Sequence, residues 1–202
     1  MKKLIVALMV IVLSACTLGA TATPKQKVSE FLDKYKNEHT DVIDQLKDTI
    51  ESAFTNDDYK SRYKTLMTNQ YKNMKYKITD EVIEDDTAVV EVEVTVLNYG
   101  AAISNADTYL NDHRDEFKKE EKTTTENKTT TDQTTETDKI TTTDSDIDDD
   151  KFQDYKLSLM EKVTDTVKYK IEFTLTKDDK NEWKIDSLSD TDLEKLHGTY
   201  VE

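Results

Sequence analysis

Apolar residues recur at steps of three and four from Val28 through Phe31, Leu32, Tyr35, Val42, Ile43, Leu46, Ile50 and Phe54. That is the period of one helical face, and it predicts a single long amphipathic helix over 28–54. Asn56-Asp57-Asp58 supplies a stop and a new N-cap, after which Tyr59, Tyr63, Leu66, Met67 and Tyr71 predict a second, shorter helix. At Met74 the period drops to two. Tyr76, Ile78 and Val82 alternate with polar residues, Asp85-Asp86 makes a turn, and Ala88, Val90, Val92, Val94 and Val96 then oppose Thr87, Glu91, Glu93 and Thr95. Such alternation marks a half-buried antiparallel strand and predicts a hairpin. The pattern returns with Val167, Tyr169, Ile171, Phe173 and Leu175, a loop at 177–181, and a short strand around Trp183 and Ile185. Ser189 and Asp192 offer a capping box for a last helix through Leu193 and Leu196, with Gly198 placed for left-handed geometry at its end.

Between the hairpins, Ile103, Ala106, Leu110 and Phe117 space a helix over 100–117, and Phe152, Tyr155, Leu159 and Val163 space another over 151–163. The stretch between them, 119–150, is Thr, Asp, Glu and Lys with little apolar besides Ile140 and Ile147. Ordering a residue costs about 1–2 kcal/mol of backbone entropy, and little apolar burial is available to offset it, so the composition predicts disorder. The reading is a single α+β domain over 25–199, interrupted by a low-complexity insertion at 119–150.

The start of the chain has a different logic. Lys2 and Lys3 precede an apolar run, Leu4 to Val12, far shorter than the roughly 20 residues of a membrane-spanning helix. The run ends in Leu13-Ser14-Ala15-Cys16, which resembles the lipobox of bacterial lipoproteins. The resemblance implies a signal peptide over 1–15, cleavage before Cys16, a diacylglyceryl group on its sulfur, and a tether over 16–24. Each buried methylene contributes about 0.8 kcal/mol, so two acyl chains hold a protein on a bilayer where one does so marginally. Cys16 is the only cysteine, so disulfides play no part. Loss of Lys2 and Lys3 with the signal takes the formal charge from −15 to −17. So acidic a chain repels nucleic acid and anionic headgroups, which leaves the lipid as the membrane contact. Lysine outnumbers arginine, with Arg62 and Arg114 the only two, and Gly and Pro are scarce. That bias fits an AT-rich, low-GC Gram-positive genome, for which the expected location is extracytoplasmic, on the outer leaflet of the cell membrane.

The order of elements resembles the nuclear-transport-factor-2-like, or SnoaL-like (cystatin-like), α+β fold. Val28 to Leu32, the hairpin run from Asp86 to Val92, and Trp183-Lys184-Ile185 carry the likeness. It implies a long N-terminal helix packed on a curved antiparallel sheet, a cone whose mouth relatives use for small ligands, catalysis or dimerisation. The insertion at 119–150 departs from that pattern. Fold does not choose among these uses.

Candidate chemistry is sparse. His113 and Glu116 stand three apart, as on one helix face, but two ligands make no metal site. His39 lies between Glu38 and Asp41, a solvated helix face. His197 precedes Gly198, where its cationic form would complement a helix dipole. Asp144, Asp146, Asp148, Asp149 and Asp150 suggest a calcium loop, yet Asp149 stands where glycine is needed and Tyr155 where a bidentate Glu is needed. Weak ion association by a flexible acidic tract, followed by N-capping of the Lys151 helix, is the better reading. Tyr59, Tyr63, Tyr71, Tyr76, Tyr155 and Tyr169 either line a groove or pack a core edge with wet hydroxyls. The inward positions of the two clear strands hold no carboxylate. Catalytic, cofactor and metal residues are therefore expected to be none, and Cys16, as lipidation site, is the residue to which chemistry is assigned. The expected function is a lipid-anchored envelope protein with a non-enzymatic domain for a small-molecule or protein partner. The alternatives are a small enzyme using the cone on an exported substrate, or a purely structural protein in which the Thr/Asp segment is a solvated spacer.

Overall fold

The computed structural model describes residues 22–119 and 146–202 and shows a mixed helix and sheet protein. Cys16, the signal and most of the tether lie outside the described residues, as does the low-complexity segment except for its two ends.

The predicted long helix is two helices, α1 (Pro24–Lys36) and α2 (Thr40–Ala53). The break is a Schellman turn. Glu38 takes the left-handed conformation at φ 50°, its N–H donates to Tyr35 O, and His39 N–H donates to Lys34 O. Val42 follows Tyr35 by seven residues, so the apolar stripe keeps its phase across the turn and conceals it. α1 begins inside the predicted tether. Thr23 and Gln26 form a reciprocal capping box around Pro24, where a proline's missing N–H costs nothing.

α3 (Asp57–Asn73) starts as read, with Asn56 Oδ1 accepting from Asp58 N–H. β1 (Lys75–Glu84) and β2 (Thr87–Leu97) form the expected hairpin about Asp85-Asp86, with Asp85 at φ 51°. α4 (Tyr99–Asp112) follows, then a 3-10 turn at Arg114–Phe117. α5 (Asp149–Met160), β3 (Thr166–Lys177), β4 (Trp183–Ile185) and α6 (Asp190–His197) complete the chain. The sheet is an open antiparallel meander in the order β1-β2-β3-β4.

One alternation fails within β1. The register slips between Ile78 and Asp80, so Thr79 is the extra residue of a bulge. A one-residue slip moves every later side chain to the other face. Val82 therefore pairs with Val89 on the solvent face, away from Ile78, and Glu81 pairs with Val90 on the helix-covered face. Glu81 Oε1 accepts from Lys25 N–H at 3.1 Å, near the N-terminal end of α1, where a carboxylate complements the dipole.

α1, α3 and α6 cover one face of the sheet. Val28, Phe31, Leu32 and Tyr35 of α1 and Leu66, Met67 and Tyr71 of α3 are buried with Val90, Val92, Val94, Ile171, Phe173 and Leu175. The opposite face carries Glu91, Glu93, Lys168 and Lys170, in cross-strand pairs of 2.8 and 3.0 Å. α4 and α5 pack together beside this layer.

The ends of the predicted disordered stretch are ordered. Lys118 bridges to Ile147, Ile147 is buried, and Asp148 Oδ1 caps α5 through Lys151 N–H. Within the predicted insertion, residues 146–150 are therefore part of the fold. Burial of the isolated Ile147 supplies the apolar gain that the surrounding residues lack.

Candidate functional site

Between the helices and the sheet the core is packed with rings. Tyr35 meets Phe31 at 5.3 Å, Tyr71 edge-on at 5.2 Å and His197 at 6.1 Å, while Phe31 meets Phe173 at 5.7 Å. Burial holds the Tyr35 and Tyr71 hydroxyls well above the ordinary phenol range. His197 is not the expected helix-end cation. Burial pushes its pKa down to about 4, and its Nε2 is buried without a hydrogen-bond partner among the described residues. The carboxyl end of α6 is closed instead by Gly198, at φ 70° as read from the sequence.

Beside these rings Gln70 makes a polar clasp. Its side chain is fully buried, its Oε1 accepts from Leu97 N–H at 2.8 Å, and its Nε2 donates to Leu97 O and His197 O. One amide thus joins α3, the end of β2 and the end of α6. A Cβ on Gly198 would stand 2.1 Å from both Gln70 Nε2 and Leu97 O, so the clasp requires glycine there twice over, for φ and for space.

The end of β2 leads into an open groove of about 430 Å³ between α4 and α5, within the size range of small-molecule sites. Asn98, Asn105, Tyr109, Tyr155, Lys162 and Asp165 line it, together with small apolar surface from Ala101, Leu159 and Val163. Tyr109 and Tyr155 lie 4.9 Å apart and tilted by 31°, a paired aromatic wall. Tyr109 is fixed from both sides. His113 stacks on it at 3.9 Å, and its hydroxyl donates to Glu116 Oε2 at 3.0 Å, which raises its pKa. α5 is held to α3 by Arg62, which donates to Glu161 and Asp154. The two tyrosines give the groove an amphipathic aromatic lining, with an amide, an ammonium and a carboxylate at the rim to orient polar groups.

His113 and Glu116 are therefore brought together, but around Tyr109. His39 is the N-cap residue of α2, with Nδ1 3.4 Å from Asp41 Oδ2. Of the acidic run, expected as a whole to cap the following helix, Asp148 is the N-cap of α5, and Asp144 lies outside the described residues. Among the described residues no three His, Cys, Asp or Glu side chains gather as a metal ion would need. The six tyrosines do not share a groove. Tyr71 is buried, Tyr63 packs on Phe54, Tyr59 donates to Asp150 O, Tyr76 donates to Asp33 Oδ1, Tyr169 meets Tyr200, and Tyr155 alone of the six lines the groove. Gln70 went unread, although its position beside Tyr71 on an apolar stripe was the signal: a polar residue there must find partners.

Compared with protein-family models, with curated proteins and with solved structures, the chain finds no match.

Proposed function

We propose that this protein is a lipid-anchored component of a bacterial cell envelope whose α+β domain binds a partner or small ligand without transforming it. The observation that carries the reading is Leu13-Ser14-Ala15-Cys16 at the end of a short apolar run opened by two lysines. The membrane contact is then lipid on Cys16; no helix among the described residues is long and apolar enough to cross a membrane. The groove with its Tyr109 and Tyr155 wall supports the binding role. The cone remains part of this proposal, on the strength of the helices covering one face of an antiparallel sheet. A small enzyme would need an acid or base in an enclosed pocket. His197, whose Nε2 is buried, rests against Tyr35 and Tyr71, and the inward positions of β2 and β3 are apolar.

Cells given radiolabelled palmitate are expected to label the natural chain and to leave the Cys16→Ser variant unlabelled. Equal labelling of the two would refute the anchor.

A further inference from the structure

We infer that the anchored domain stands with the tip of its β1–β2 hairpin toward the bilayer and the α4–α5 groove turned away from it. This rests on the lipid anchor proposed above. α1 runs antiparallel to β1. Lys25 is bound to Glu81, Asp33 further along accepts from Tyr76, and Tyr35 at the far end meets Tyr71, just before β1 begins. The chain therefore enters the domain on the hairpin side, heading away from the groove. Asn98 and Asp165, which line the groove, lie immediately beyond the ends of β2 and β3 at the opposite end of the sheet.

Lengths decide the orientation. From Val90, the partner of Glu81, to Leu97 the strand runs about 24 Å at ~3.4 Å per residue. The seven residues from Cys16 to Thr23 can span at most about 25 Å, the limit that backbone geometry sets. Bringing the groove end to the bilayer would require the tether to double back along the sheet at nearly full stretch. The hairpin turn at Asp85 lies only about 14 Å beyond Glu81 at the strand rise, so the tip can reach the surface well within that limit.

The tip has a surface suited to that place. Val82, Ile83 and Val89 are 50%, 51% and 38% exposed there, the apolar side chains that the bulge and the end of the helix layer leave uncovered. Asp86 is offset by Lys177 at 3.0 Å, while Glu84 and Asp85 favour a zwitterionic over an anionic surface.

The test uses the full lipidated chain, purified from membranes, with one cysteine introduced at Ile83 or at Asn105. Cys16 is blocked by its thioether, so each variant offers a single thiol for a fluorescent maleimide. In phosphatidylcholine vesicles containing a nitroxide-headgroup lipid, the label at Ile83→Cys is expected to be quenched several-fold more than the label at Asn105→Cys. Val82→Cys, also at an exposed site, should repeat the Ile83 result. Equal quenching of the two ends, or stronger quenching at Asn105, on a chain that floats with the vesicles overturns the orientation alone. A chain that does not float overturns the anchor and the orientation with it.

Discussion

Replacing Gln70 by Leu is expected to lower the unfolding free energy by about 3 kcal/mol, because two buried bonds and a partly buried one lose their partner at once. Leu97 N–H would be left facing apolar surface, and Leu97 O and His197 O would each lose a donor. An unsatisfied buried group costs about 1–3 kcal/mol, far more than the net worth of an average exposed hydrogen bond. At about 2–4 °C per kcal/mol for a chain of this size, the melting temperature should fall by roughly 10 °C. The loss should appear as earlier opening where α3, β2 and α6 meet, readable by amide exchange at Leu97. A fall of less than about 0.5 kcal/mol, the scale of an ordinary surface change, would contradict the clasp.

The second large effect is a loss of stability in mild acid. His197 titrates near 6.5 when unfolded and at about 4 when folded, so between these values the unfolded chain binds the extra proton. Stability from this residue is therefore complete above pH 6.5, falls as pH drops through the window, and levels off below 4, for a total of about 3 kcal/mol. Exposed carboxylates whose pKa is lowered, Glu91 by the Thr79 hydroxyl and then Lys170, and Glu93 by Lys168, add losses of the same sign, but below their unfolded value of 4.5. His197→Phe separates the two. It keeps a ring against Tyr35 and Tyr71, and the stability difference between pH 7 and pH 4.5 should shrink by about 2 kcal/mol relative to the natural chain. An unchanged difference would show that His197 is solvated in the fold.

Strands β2 and β3 were legible residue by residue, because a sheet with one dry face writes its burial directly into alternate positions. The caps at Asn56, Asp148 and Gly198 were legible for a similar local reason: backbone groups at helix ends recruit recognisable side chains. What stayed hidden depends on geometry that period does not encode. The turn at Glu38 preserves the phase of the stripe on either side and uses a non-glycine residue for φ 50°. The bulge at Thr79 reverses Val82 and Glu81 without changing composition. The groove was invisible because its parts come from residues near 98–109 and 155–165, whose meeting is decided by α4 packing on α5. His197 was misread for the same reason. Its position at a helix end is local, whereas its burial under Tyr35 and Tyr71 comes from α1 and α3.

The central claim concerns one sulfur atom, and mass spectrometry of the protein purified from membranes tests it most directly. Tryptic digestion should release an N-terminal peptide running from Cys16 to Lys25, carrying a thioether-linked diacylglyceryl group and nothing before Cys16. A mature chain that begins elsewhere, or that carries a free thiol at Cys16, would contradict the account.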